Sequence, residues 1–186
     1  MDTMPQKQES YSQHYLLKDS LTEFSSFNAD DLYLSLAIAP IISQSFDLSQ
    51  ILEQSSKEIA HYFSADRCII IQCDTSHDES PILQIGQFCT SEEFEQIDST
   101  TTLNSILIHN LENLIISDNE LYLSSIQNRK EYYRQYSIQS EYSVPIVYRG
   151  ILCGLISLQQ CSTPREWKPK EVEILKILAP LLGGAI

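Results

Sequence analysis

The 186-residue chain predicts a mixed α/β (α+β) fold, with an antiparallel sheet and helices packed on it from both ends of the chain. Three observations carry that expectation. From Ser143 to Gln160, two apolar, β-branched-rich runs flank the polar turn Tyr148-Arg149-Gly150, the pattern of an antiparallel hairpin. A one-sided helical stripe over 47–63 leads into the apolar run Cys68–Cys73. After Lys168-Pro169, apolar residues recur at helical spacing, at Val172, Ile174, Leu175, Ile177, Leu178 and Leu181.

Taken in order, residues 1–27 are rich in Ser, Gln, Asp and Glu without a sustained period and read as a mobile tail ahead of a domain spanning 28–186. Asn28 reads as a helix N-cap, with Asp30 and Asp31 in the first turn where the helix dipole favours negative charge. The next run, Leu32 to Phe46, is apolar almost all round, so it predicts a helix with two packing partners. Pro40 inside it should kink or split that helix. A second helix follows, with Leu48, Ile51, Leu52, Ile59, Tyr62 and Phe63 on one side; Ser64–Arg67 ends it, and Cys68–Cys73 forms a buried strand. The polar residues 75–81 form a turn, and Ile82–Phe88 a second strand. Between 90 and 139 the pattern is least regular; it predicts a strand at Asn113–Ser117 and a helix from Leu121 to Tyr136.

Composition narrows the function. Hydrophobic residues make up 42% and charged residues 20%, a globular balance. No window reaches the ~18 uninterrupted apolar residues of a membrane span, and Met1 to Glu9 offers no apolar signal core, so a soluble cytoplasmic protein is expected. The net charge of −13 is uneven: residues 1–128 hold 20 acidic and 4 basic side chains, and residues 129–186 hold 5 and 8. Such a field repels phosphate backbones and argues against nucleic acid. The basic group Arg129, Lys130 and Arg134 reads as a solvated helix face. Five cysteines at irregular spacing, with no Cys-x-x-Cys, predict neither a disulfide framework nor a closed zinc site.

The segment Ser143-Val144-Pro145-Ile146, the turn, the Gly154-Leu155 strand, Gln160-Cys161-Ser162, Arg165-x-Trp167 and the terminal helix together resemble the end of GAF domains. The likeness is strongest to those of cyanobacterial sensor kinases and phytochrome-like photoreceptors. Phe46-Asp47-Leu48, Ile51-Leu52 and Ala65-Asp66-Arg67 before a strand are a second point of likeness, so the resemblance covers most of 30–186. It implies a central antiparallel sheet with the first and last helices side by side, forming a parallel bundle with a second subunit. Leu32, Leu36, Ile174, Ile177 and Leu178 are the candidate seam. It also implies a ligand pocket covered by the middle region, with Tyr132, Tyr133, Tyr136, Gln159 and Arg129 as lining candidates; on an amphipathic helix over a sheet, such tyrosines are more often core than wall. Trp167 matches the family's tryptophan and should pack the start of the last helix on the sheet.

Bilin-carrying relatives present a Cys-His pair ahead of the Val-Pro-Ile strand. Counting back without gaps from Val144, that pair falls on Asn128-Arg129, and Gln159 stands where those relatives carry a second pocket histidine. An amide cannot act as the thiol nucleophile, so the resemblance implies a GAF domain without covalent bilin. A non-covalent tetrapyrrole or an iron–sulfur cluster is a minor alternative, and no cofactor or metal is expected. Two other readings stay open. One is redox sensing through cysteines, a quinone or a cluster, although Cys68 and Cys73 should point to opposite faces of one strand. The other is a methionine-sulfoxide reductase-like enzyme, which needs an activated loop thiolate where strand cysteines stand. His61, His77 and His109 are solitary, and no phosphoacceptor histidine with a following acidic residue or Gly-rich nucleotide loop occurs. The expected role is therefore not enzymatic. It is signal input and homodimerisation for a two-component protein, acting on an attached kinase domain or a separate partner, with the small-molecule signal unassigned.

Overall fold

The computed structural model describes residues 29–74, 82–94, 97 and 132–186. Helix α1 (Ala29–Gln44) is followed by α2 (Leu48–Phe63), strands β1 (Arg67–Cys73) and β2 (Ile82–Cys89), strands β3 (Ser140–Tyr148) and β4 (Ile151–Gln160), and helix α3 (Pro169–Gly183). The four strands form one antiparallel sheet in the order β2-β1-β4-β3. The expected Asn28 cap, the 1–27 tail, the 75–81 turn and the 113–117 strand lie outside the described residues, as does most of the helix expected over 121–136. Of that helix, 132–135 are helical and Tyr136 is already in the turn that ends it.

Local chemistry accounts for the element ends. The Asp47 carboxylate accepts from the Ser49 amide at 3.0 Å and starts α2. Ser64 takes the left-handed conformation, φ 49°, and stops it. The β3–β4 hairpin turns through Arg149 and Gly150 at φ 52° and 79°. Two consecutive positive φ values match the right-handed strand twist, and glycine occupies the position with the larger value. Pro169 begins α3, and Glu171 reaches back to the Lys168 amide at 2.7 Å.

Helix α1 runs unbroken through Pro40, contrary to the expected split. Proline removes one main-chain hydrogen bond from the helix. Leu34 and Ile38 before it and Ile42 beyond are held against the core, which keeps both halves in one helix.

The core has two halves, one on each side of the sheet. On the first side, α1, α2 and α3 bury Leu34, Ile38, Leu52, Ile59 and Phe63 with Leu175, Leu178 and Leu182 against Cys68, Ile70, Val144, Ile146, Ile156 and Leu158. On the second side, Ile69, Ile71, Cys73 and Leu155 pack with Ile97, Tyr132, Tyr136 and Ile138. Cys68 and Cys73 thus do face opposite ways. Because both faces of β1 are covered, Cys68–Ile71 is a continuous apolar run instead of an alternating one.

The helices divide the expected seam residues unequally. Leu32 and Leu36 are 51% and 70% exposed on α1. Ile174 and Leu178 instead lie inside the domain's own core, and Ile177 is half-buried. The helical period that suggested an apolar excess on α3 is the stripe that faces the sheet and α1, so Ile174 and Leu178 are removed from the seam. Trp167 behaves as expected, with its ring 6.5 Å from that of Tyr142 on β3. Arg165 sits 4.4 Å from the centroid of Trp167, donates to the Phe63 carbonyl at 2.6 Å, and pairs with Glu171. One guanidinium thereby joins the C-terminus of α2 to the first turn of α3.

Candidate functional site

On the face of the sheet away from the helices, one row of the ladder is polar. Arg67 on β1 lies opposite Gln159 on β4, and Gln159 lies opposite Glu141 on β3. Residues opposite one another in antiparallel pairs share a face, so the register itself assembles the three. Arg67 and Gln159 are 0% exposed and Glu141 is 8% exposed. Arg67 and Glu141 are the buried charged side chains among the described residues.

Gln159 is the bridge. Its Oε1 accepts from Arg67 Nη1 at 2.8 Å, and its Nε2 donates to Glu141 Oε1 at 3.0 Å and to the Tyr132 phenol oxygen at 2.9 Å. Glu141 also accepts from the Ser157 hydroxyl at 2.5 Å and from the Tyr133 phenol at 2.7 Å. Arg67 Nη1 and Nη2 each reach the Tyr136 carbonyl at 3.5 Å, and its guanidinium lies 5.8 Å from the Tyr136 ring centroid. Burial pushes the Tyr132 phenol well above its ordinary pKa, with the Glu141 carboxylate adding to the effect, so it stays neutral.

Segment 132–138 lies over this row. The turn ends with Ser137 at φ 55°, while Ile138 N–H returns to the Tyr133 carbonyl at 2.8 Å. That closure places all three tyrosines toward the sheet. Of the residues expected to line a pocket, Tyr132, Tyr133, Tyr136 and Gln159 come together here; Arg129 lies outside the described residues. Tyr132 and Tyr136 are core residues here, packing on Ile69, Ile71 and Leu155. Arg67, Glu141 and Ser157 were missed as site residues. A charge at the first position of an apolar strand was the available signal for Arg67. Nothing in the sequence pairs it with Glu141, because register is a tertiary property.

Asp66, next to this row, is a structural acceptor. Its Oδ2 receives Gln160 Nε2 at 3.0 Å, Cys161 N–H at 2.8 Å, and the Ser162 N–H and hydroxyl at 2.7 Å each. Burial acts to raise its pKa, but the Ser162 and Cys161 donors outweigh burial and hold the carboxyl below its ordinary 3.8. A depressed folded-state pKa means stability present above about pH 4 and lost as pH falls through the depressed value. Asp66→Ala should cost about 2 kcal/mol at neutral pH, the scale of a charge-assisted contact, and should flatten the acid limb of a stability-versus-pH curve measured by denaturant unfolding.

The cysteines do not form a reactive set. Burial pushes Cys68 far up and raises Cys73 and Cys161 to about 11, away from the thiolate form. All five cysteines are free thiols. Among the described residues, no group of three or more His, Cys, Asp or Glu could hold a metal. His61 is exposed and packs edge-on to Phe88, with ring centroids 4.9 Å apart.

The GAF domain family matches residues 47–186. The chain belongs to the GAF domain family. This GAF domain is 26% identical over 176 residues to the circadian input-output histidine kinase CikA of Synechococcus elongatus, covering 78% of this chain and 22% of that kinase. It spans about a fifth to a quarter of the length of the curated relatives it matches, all histidine kinases. The phycocyanobilin-bound GAF domain of a cyanobacterial phytochrome superposes with a TM-score of 0.66 at 16% identity, covering 86% of this chain and 94% of that one. A far-red absorbing dark state with bound biliverdin IXa superposes with a TM-score of 0.60 at 19% identity, over 82% and 96% of the two chains. At such identities these likenesses establish the fold. Among the described residues, no helix is long and apolar enough to cross a membrane.

Proposed function

We propose that this GAF domain is the signal-input and dimerisation module of a histidine-kinase-type signalling protein, holding a small molecule without a covalent bond on the sheet face covered by segment 132–138. The observation that carries the reading is the division of labour across the sheet. One face is committed to α1, α2 and α3, while the other pairs an apolar floor with a buried polar row under three tyrosines. The kinase relatives support an output partner, because the region they share with this chain is a minor part of their length. Catalysis belongs to other domains in this reading. Coexpression with a bilin-producing pathway is expected to give no zinc-fluorescent band after denaturing electrophoresis, since Asn128 supplies no thiol; a labelled band would return covalent photoreception to first place.

The dimer reading rests on α1. Leu32 and Leu36 are one helical turn apart and both exposed, on a helix whose opposite side is buried. A two-fold contact between such stripes is self-complementary. Leu36→Glu should convert the dimer to a monomer by light scattering at micromolar concentration without loss of helical signal, because a carboxylate would be stranded in an apolar seam. A monomeric parent, or a dimeric mutant, would remove this seam.

A further inference from the structure

The buried row also bears on what kind of molecule the covered face accepts, given the ligand-face reading above. Arg67 is a buried cation on that face, and a buried guanidinium is ordinarily an anchor for a carboxylate or phosphate. Here its charge is already matched. Gln159 presents its carbonyl to Arg67 and its amide to Glu141, so the two opposite charges are joined through one side chain in a single row of the sheet. The Tyr136 carbonyl takes up further donors of Arg67, and the Ser157, Tyr133 and Gln159 donors converge on Glu141.

We propose that Glu141, acting through Gln159, withholds Arg67 from anionic ligands, so that this face selects neutral, apolar molecules and rejects carboxylates and phosphates of similar shape. An incoming anion would have to break the Arg67–Gln159 contact and would lie near the Glu141 carboxylate inside a low-dielectric interior. Both costs fall on anions only. A neutral ligand entering beneath segment 132–138 would displace apolar packing on Ile69, Ile71 and Leu155 and would bring no charge of its own to the Arg67–Gln159–Glu141 row. Glu141 and Gln159 are thus positioning residues that set selectivity.

Biliverdin, a dicarboxylate at neutral pH, and its uncharged dimethyl ester provide the test, because they share one ring system. Binding of each to the full chain is followed by absorbance and Trp167 fluorescence, with circular dichroism checking the fold of every variant. The parent should favour the ester. Glu141→Gln and, separately, Gln159→Leu should each move the acid-to-ester affinity ratio toward the acid by about tenfold, the effect of releasing one charge-assisted contact. The double variant Arg67→Met/Glu141→Gln should return the ratio to the parent value, which a merely structural role would not do. A parent that favours the free acid, or folded variants with an unchanged ratio, overturns the selectivity. Failure of every variant and the parent to bind either form overturns the ligand-face reading on which it depends.

Discussion

Arg67→Met is expected to destabilise the domain by about 3–5 kcal/mol, the range for breaking a buried charge pair by removing one partner. Methionine fills much of the arginine stem's volume, so the loss is electrostatic more than steric. With the guanidinium gone, Glu141 keeps its carboxylate in a row that is 8% exposed or less. Gln159 Oε1 and the Tyr136 carbonyl lose their donor at the same time. Urea unfolding measures the loss directly, and Arg67→Met/Glu141→Gln should recover at least half of it. Non-additivity of that kind is the mark of two groups in one network. Additive losses would mean that Arg67 and Glu141 are stabilised independently, and the bridging role of Gln159 would fall.

Gly86→Val is the second large effect. Gly86 lies on β2 directly beneath α2, and a Cβ there would stand 2.3 Å from the Leu52 carbonyl carbon and 2.6 Å from the Glu53 amide nitrogen. Those are backbone atoms, which no rotamer change can withdraw. Helix α2 would have to lift from the sheet and loosen Leu52 and Ile59, both 0% exposed. A loss of about 3 kcal/mol is expected, with the midpoint of thermal unfolding lowered by roughly 10 °C for a domain of this size. A variant that melts with the parent would show that α2 sits farther from β2 than this packing requires.

The elements themselves were legible because each is written in a local period. The stripe at Ile51, Leu52, Ile59 and Phe63, the apolar run Cys68–Cys73 and the two runs about Arg149-Gly150 became α2, β1 and the β3–β4 hairpin. The Asp47 cap and the left-handed Ser64 show why α2 keeps to its expected limits. At Pro40, of the expected kink or split, the split does not occur: Leu34 and Ile38 are anchored in the core and α1 continues through the proline. Local rules failed for Ile174 and Leu178. A helical period says that a face is apolar without saying what covers it, and the domain's own core covers this one.

The site divides in the same way. Tyr132, Tyr133, Tyr136 and Gln159 were identifiable as candidates from the sequence and its resemblance to GAF domains. What those side chains do was decided by strand register and by the left-handed turn at Ser137. Arg67, Gln159 and Glu141 are separated by up to 92 residues along the chain, yet they occupy one row across three strands. Pairing across strands depends on which antiparallel alignment buries both faces, a property of the whole sheet. The sequence by itself therefore determined helices α1–α3, strands β1–β4, the hairpin and the family. Only the tertiary structure decided that a buried cation and a buried carboxylate share a row and that an amide joins them.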